Sequence, residues 1–322
     1  MSGPGLRVLV TDADYGVLDI EEQVLAAAGH ELHTARCRTA AEVVDAARDA
    51  DAVLVQYAPI TAEVLDALPR LRLVSRYGVG VDVVDTDAAR ARGVWVCNVP
   101  DYGTTEVALH AVAVLLALLR NLPEHDRQVH SGRWDHRLGG RLRRPAGLTL
   151  GVVGLGRIGR ATMAGAAPWF GAVVGHDPHL PDEAWPAGVE RLGLAELFAR
   201  SDAVTLHLPL TADTQGLVGA DLLGRMPAGS YLVNTARGGL VQLDAVLQAL
   251  EDGRLAGVGL DVFPTEPPPA GSPLLAHPRA LLTPHVAWYS DEAEVELRRK
   301  AAGNVVSWAR TGRPDHVVVE GR

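Results

Sequence analysis

The sequence predicts an α/β protein of two domains with parallel sheets, one domain inserted into the other. Three observations predict it. Short apolar runs alternate with helix-spaced segments from residue 6 to residue 283, the pattern of parallel strands joined by crossover helices. The apolar run 148–153 leads into Gly154, Gly156 and Gly159, in the G-x-G-x-x-G spacing that opens a dinucleotide-binding unit. The alternation breaks once, at Asn98-Val99-Pro100, before a long apolar helix, and then resumes.

Taken in order, residues 6–11 read as a strand, 15–28 as a helix stopped by Gly29, 31–35 as a strand and 40–48 as a helix. A third strand, 52–57, precedes a helix beginning near Thr61, with Glu63 in its first turn. Strand 71–76 runs into Tyr77-Gly78-Val79-Gly80, and 94–97 is a fifth strand. These make one open α/β domain. The segment 104–120 is apolar over too much of its circumference for a surface helix, which predicts burial between domains or against a second subunit. Five arginines in 133–144 suggest an exposed connector. A nucleic-acid patch is the alternative, and the overall acidity opposes it. Further strands are expected at 148–153, 172–176, 203–207, 231–234, 257–261 and 280–283, and a last amphipathic helix at 291–310. Asp51-Ala52-Val53-Leu54 is echoed by Asp202-Ala203-Val204-Thr205, and 71–74 before Gly78 by 230–233 before Gly238, as in two similarly built domains. The tail after Pro314 is expected to return to the first domain. Residues 1–100 with 286–322 would then form a substrate domain, and 101–285 the dinucleotide domain. A cleft between the two is the expected ligand site.

Composition excludes several classes. A net charge of −9 argues against general nucleic-acid binding. The two cysteines, Cys37 and Cys97, have no metal-ligand spacing and suggest a reducing compartment, the cytoplasm. The N-terminus enters a strand almost at once, without a basic segment and apolar signal core. The apolar stretch 107–119, interrupted by His110, is too short to span a bilayer.

The glycine motif gains weight from the next strand. Residues 172–176 end in Asp177, 18 residues past Gly159, where an acidic residue takes the adenosine ribose hydroxyls. Its carboxylate would repel a 2′-phosphate, so NAD is expected over NADP.

Three reactive side chains come after strands in the same half of the chain. They are Arg237 in Asn234-Thr235-Ala236-Arg237-Gly238-Gly239, Glu266 after Val262-Phe263-Pro264-Thr265, and His285 in Thr283-Pro284-His285. Singly, each has a structural reading: a helix-entry arginine, a solvated loop glutamate, a buried histidine bonded to backbone. In parallel sheets all three fall on the ligand edge, beyond the carboxyl ends of the strands. Together they suit hydride transfer. A guanidinium holds a carboxylate with two parallel bonds. An imidazolium protonates a carbonyl oxygen as hydride reaches its carbon. A carboxylate beside that histidine fixes its orientation and favours its protonated form.

These motifs resemble the D-isomer-specific 2-hydroxyacid dehydrogenase family over nearly the full length. The carrying segments are the 154–159 turn with Asp177, 233–239, the run from Leu260-Asp261-Val262-Phe263 to Glu266-Pro267, and 283–285. The resemblance implies two Rossmann/flavodoxin-like domains and an NAD-dependent enzyme. Arg237 would bind the substrate carboxylate, Glu266 would partner the histidine, and His285 would be the proton donor. Backbone N–H groups of Val79 and Gly80 would hold the carboxylate from the other domain. Thr104, Gly154, Gly156, Arg157, Ile158, Gly159, Asp177, His207, Pro209, Thr214, Thr235, Ala236, Asp261 and His285 would line the NAD site. A homodimer is implied, with helix 104–120 in the interface. No metal is expected.

Within the family, His285-Val286-Ala287-Trp288-Tyr289-Ser290 is similar to the C-terminal-binding-protein branch, which places Trp288 in the substrate pocket and admits an NAD(H)-sensing corepressor as an alternative. Formate dehydrogenases carry glutamine in place of Glu266. Phosphoglycerate dehydrogenases usually present a basic residue after the third strand, where this chain has Val55-Gln56-Tyr57-Ala58-Pro59, and no regulatory domain is expected after residue 322. Tyr57, Tyr77 and Trp288 are expected either to make a pocket for a larger side chain or to be core residues.

Overall fold

A computed structural model of the chain describes residues 5–322. It divides into two compact units, one running to Gly103 and resuming at Ser290, the other spanning Thr104–Tyr289.

The first unit begins β1 (Arg7–Val10), α1 (Asp19–Ala27), β2 (Glu31–Thr34), α2 (Ala40–Ala46), β3 (Ala52–Val55), α3 (Ala62–Ala67), β4 (Leu73–Arg76), α4 (Thr86–Arg92) and β5 (Trp95–Cys97). Strand β3 is buried along its whole length, which is why its sequence is a continuous apolar run rather than an alternation. Helix α2 starts at a capping box, Thr39 accepting from the Glu42 N–H while Glu42 accepts from the Thr39 N–H.

The second unit continues with α5 (Thr104–Leu119), α6 (Leu122–His130), β6 (Thr149–Val153), α7 (Arg157–Ala166), β7 (Ala172–His176), β8 (Glu190–Arg191), α8 (Leu194–Arg200), β9 (Ala203–Leu206), α9 (Ala220–Arg225), β10 (Ser230–Asn234), α10 (Leu243–Glu251), β11 (Leu255–Leu260) and β12 (Ala280–Leu282). The chain then re-enters the first unit through α11 (Asp291–Thr311) and β13 (Val317–Val319). Helix α11 is capped by Ser290, which accepts from the Ala293 N–H, and ends on Gly312 in the left-handed conformation.

The first sheet has the order β13-β5-β4-β3-β1-β2 and the second β12-β11-β10-β9-β6-β7-β8. All pairs are parallel except β13 with β5. That antiparallel edge is where the tail after Pro314 lands.

Several expectations need correction. Helix α1 starts at Asp19, four residues later than expected from spacing, and strand β3 stops at Val55 because the Asp12 carboxylate claims the next three backbone N–H groups. Helix α6, with only Leu122, Pro123 and Val129 apolar, and the two-residue strand β8 are too polar or too short to stand out in the sequence. Helix α5 buries Ala111, Val112, Val114, Leu115, Leu118 and Leu119 within the core that includes Leu150, Val152, Tyr231 and Val233 of its own unit. Part of its high apolar content therefore serves its own unit's core.

The internal echo has a physical basis. Asp51 precedes β3 and accepts from the Arg7 N–H at the start of β1, at 2.9 Å. Asp202 precedes β9 and accepts from the Thr149 N–H at the start of β6, also at 2.9 Å. Each carboxylate satisfies an otherwise unpaired strand-end donor.

Candidate active site

Because the second sheet is parallel, the carboxyl ends of β6, β7, β9, β10, β11 and β12 share one edge. The order reverses between β6 and β9, and at such a reversal the crossovers diverge to leave a crevice. The second-unit candidates from Gly154 to His285 lie in the segments that follow these strand ends, with Asp261 immediately after β11, and Thr104 is the first residue of α5.

The glycine turn is shaped for a close ligand. Gly154 has φ +88°, and a Cβ on Gly159 would lie 1.9 Å from the Gly154 carbonyl oxygen. Gly156 is the N-cap of α7 with no side-chain cap, so the helix presents its first-turn N–H groups, at Arg157 and Ile158, to an anion. A Cβ at Gly156 would meet nothing within 4 Å. The Asp177 carboxylate sits at the end of β7, accepting from Leu155 N–H at 2.8 Å and His179 N–H at 3.0 Å. Past β9, the His207 Nε2 pairs with Thr205 Oγ1 at 2.9 Å, and burial pushes the imidazole down to about 3, so it is neutral. Thr214 Oγ1 donates to the Pro209 carbonyl at 2.8 Å, closing the turn between them. His207 Nδ1 and Thr235 Oγ1 are buried without a protein partner. An unmet buried polar atom costs about 1–3 kcal/mol, which a ligand carrying complementary groups would relieve. The glycine turn, the open helix N-terminus and the carboxylate at the next strand end fit a dinucleotide.

The reactive trio is assembled locally. Asn234 ends β10 and fixes the adjoining turn, donating from Nδ2 to the Arg237 carbonyl at 2.9 Å and accepting from Ala236 N–H at 3.0 Å. Gly238 then packs backbone to backbone on the next loop: a Cβ there would lie 1.9 Å from the Phe263 carbonyl carbon. Phe263 N–H donates to Glu266 Oε1 at 2.8 Å, and Glu266 Oε2 pairs with His285 Nδ1 at 2.7 Å. The Nδ1 bond orients the imidazole and leaves Nε2 as the atom that can exchange a proton. Burial raises Glu266, but the His285 bond and charge, the Phe263 N–H and the Arg237 charge outweigh it and hold the carboxyl below its usual range. The carboxylate is therefore ionised throughout the neutral range. The two side chains keep 28 % and 32 % exposure, so a small molecule can reach them. Arg237 is half-buried and donates from one terminal nitrogen to its neighbour, the Ala236 carbonyl, at 2.7 Å.

His285 has φ +54°, a left-handed conformation that costs a residue other than glycine about 1–2 kcal/mol. It is held there by its own N–H on the Asp261 carbonyl at 2.8 Å. The Asp261 side chain, buried beneath the turn, accepts from Thr283 Oγ1 at 2.6 Å, Val286 N–H at 2.9 Å and Ala287 N–H at 3.0 Å. Its carboxylate thus shapes the histidine-bearing turn.

In the first unit, Tyr57, Val79 and Gly80 come after β3 and β4, at the ligand edge of that sheet. Asp12 accepts from the N–H groups of Gln56, Tyr57 and Ala58, which fixes that loop. Val79 is held through its carbonyl by Asn98 Nδ2 at 2.7 Å. Tyr57 and Val79 are partly exposed, whereas Tyr77 is a core residue, 2 % exposed and bonded to the buried Glu21 at 3.1 Å. That removes Tyr77 from any pocket. Trp288 of the second unit is half-buried and meets the Tyr289 ring edge-on. Sequence reasoning missed Asn234, Asp12, Thr283 and His110. An asparagine at a strand end was the one local signal available. No three His, Cys, Asp or Glu side chains among the described residues are grouped to hold a metal.

Comparison with known proteins decides the family. The model of the D-isomer specific 2-hydroxyacid dehydrogenase NAD binding domain matches residues 112–287. A glyoxylate reductase of Korarchaeum cryptofilum is 38% identical over 282 residues, covering 86% of this chain and 85% of that protein. The chain belongs to the D-isomer specific 2-hydroxyacid dehydrogenase family. It carries the family's NAD-binding domain, in which the glycine turn, Arg237, Glu266 and His285 all lie. A D-3-phosphoglycerate dehydrogenase of Methanocaldococcus jannaschii is 35% identical over 94% of this chain, but the match covers only 56% of that protein, so the chain spans about half the length of such relatives. Among solved structures, a D-lactate dehydrogenase of Aquifex aeolicus complexed with NAD and lactic acid superposes with a TM-score of 0.88 at 27% identity, covering 98% of this chain and 100% of that one.

Proposed function

We propose that this protein interconverts a small 2-oxo acid and a D-2-hydroxy acid, with NAD as the cofactor. The observation that carries the reading is the 2.7 Å pair between His285 and Glu266, at the sheet edge that also bears the glycine turn and Arg237. Arg237 binds the substrate carboxylate. His285 gives its Nε2 proton to the carbonyl oxygen in reduction and takes the hydroxyl proton in oxidation. Glu266 orients the imidazole through Nδ1. The nicotinamide supplies or takes the hydride. The unit running to Gly103 and resuming at Ser290 serves as the substrate domain and Thr104–Tyr289 as the cofactor domain, rather than the 100/101 and 285/286 boundaries expected from sequence. Trp288, three residues past His285, contributes to the side-chain pocket.

The test is loss of reduced-nicotinamide absorbance on mixing protein, NADH and a panel of 2-oxo acids. The panel holds glyoxylate, pyruvate, branched and aromatic 2-oxo acids, and phosphohydroxypyruvate. Turnover of one class supports the reading and names the pocket's preference; tight NADH binding with no turnover anywhere sinks it.

Asp177 supplies the choice of cofactor. Asp177→Ser should weaken NADH binding about tenfold and narrow the preference for NADH over NADPH, since one charge-assisted bond is worth about 1.5–3 kcal/mol. Fluorescence titration with both cofactors checks this, and an unchanged ratio of the two affinities removes the role.

The protein is assigned to the cytoplasm on the strength of its two buried unpaired thiols, Cys37 and Cys97. A homodimer is supported by large apolar side chains left exposed on the second unit, among them Leu109 at 71%, Leu122 at 55% and Trp134 at 89%. Sedimentation equilibrium should return twice the 34.1 kDa chain mass. A monomer at micromolar concentration would discard the dimer.

A further inference from the structure

The proton on Thr283 fixes a direction in the network beneath His285. Thr283 Oγ1 has one proton and lies 2.6 Å from Asp261 Oδ1, an oxygen that only accepts when ionised. The Thr283 proton therefore goes to Asp261. The same hydroxyl also lies 3.0 Å from Nε2 of His110 on α5. Having given its proton away, it can only accept there, so His110 carries its proton on Nε2. The chain of donors runs from His110 to Thr283 to Asp261. Asp261 in turn receives the Val286 and Ala287 N–H groups, and its carbonyl receives the His285 N–H. The His110 side chain is 22% exposed and that of Asp261 1%. Its Nε2 is also 3.7 Å from Asp261 Oδ1, close enough to support that carboxylate's charge.

We infer that His110 is a positioning residue for the reaction: its Nε2–H, relayed by Thr283, sets the Asp261 carboxylate that holds the 283–287 turn and so the left-handed His285. Three features converge on this assignment. The left-handed backbone persists only where its surroundings over-determine it. The Asp261 carboxylate accepts three protein donors, all from this turn. His110 is the residue through which α5 is bonded to that set. The inference rests on the proposed role of His285 as proton donor, but the hold on the turn can be measured without turnover.

The variants His110→Leu and His110→Gln, and Thr283→Val and Thr283→Ser, separate shape from hydrogen bonding. Gln keeps a donor near the place of Nε2, and Ser keeps the hydroxyl. Amide hydrogen exchange of the segment carrying the His285, Val286 and Ala287 N–H groups reads the turn directly. Exchange there should quicken roughly tenfold in His110→Leu and Thr283→Val, and stay near wild type in His110→Gln and Thr283→Ser, as for loss of one hydrogen bond. The two disruptive variants should also lose about tenfold in kcat while the NADH Kd moves less than about twofold, because the cofactor turn is untouched. The double variant His110→Leu/Thr283→Val should be no worse than the poorer single, since both break one chain.

Wild-type exchange and kcat in His110→Leu would overturn the inference, as would additive losses in the double variant. If His110→Leu does not fold, Thr283→Val against Thr283→Ser, with His110→Gln, decides the same point. Quickened exchange in a protein that reduces no 2-oxo acid would keep the positioning network and reject the proposed activity instead.

Discussion

Replacing His285 by asparagine should cut turnover of the preferred 2-oxo acid about a thousandfold, within the range that positioned proton transfer contributes. Asparagine tolerates the left-handed backbone that the site imposes at φ +54°, so the turn survives and the loss reports chemistry. It can still meet Glu266 but has no proton to give near neutral pH. NADH affinity should change less than about threefold, because the glycine turn and α7 are unaltered, and kcat and kcat/KM should fall together. Steady-state kinetics in both directions, with NADH binding followed by fluorescence, make the comparison. A variant within a few-fold of wild type in kcat would remove His285 from the reaction.

Arg237→Lys should leave the charge and lose the geometry. A guanidinium offers two parallel N–H groups to a carboxylate, whereas an ammonium offers a single point charge. The expected cost is about a hundredfold in kcat/KM for the 2-oxo acid, corresponding to one charge-assisted bond. Much of it should appear in KM, since the carboxylate is held in the ground state as well as in the transition state. Lysine also has less reach to bond the Ala236 carbonyl, so the side chain loses a fixed anchor. Arg237→Ala should lose further, and added guanidinium should recover part of that activity but none of the lysine variant's. A kcat/KM for Arg237→Lys equal to wild type would show that the carboxylate binds elsewhere. Glu266 offers an internal control. Its carboxyl is held low partly by the Arg237 charge, so Arg237→Ala should move its titration back toward the ordinary range.

What the sequence by itself determined is what depends on near neighbours in the chain. Buried strands of a parallel sheet are largely apolar on both faces, so β3 stood out as an unbroken run and β6, β9 and β10 as mostly apolar ones. Gly154 and Gly159 stood out because the backbone there admits no side chain. The alternation of strands and helices then placed Arg237, Glu266 and His285 on one sheet edge, because parallel connections leave every carboxyl end on the same side. The two echoed aspartates, Asp51 and Asp202, were legible as a pattern, although not as strand-end hydrogen bonds.

Tertiary structure alone decided the rest, because the decisive partners are far apart in sequence. Tyr77 read equally as pocket or core, and contacts far along the chain, with Glu21 56 residues away and the Tyr15 ring at 5.2 Å, make it core. The same Glu21 is reached by Arg298 at 2.8 Å across 277 residues, a buried ion pair that no local pattern announces. The apolar surplus of α5 read as burial between domains or against a second subunit, and the structure shows which part its own unit's core takes up, from Ala111 to Leu119, while Leu109 stays exposed. The family resemblance implied Asp261 only as a cofactor contact, and its hold on the 283–287 turn through its carboxylate emerged from the tertiary structure. His110 read only as an interruption in an apolar helix. It gained meaning when β12 brought Thr283 within 3.0 Å, since a hydrogen bond depends on distance in space and not along the chain.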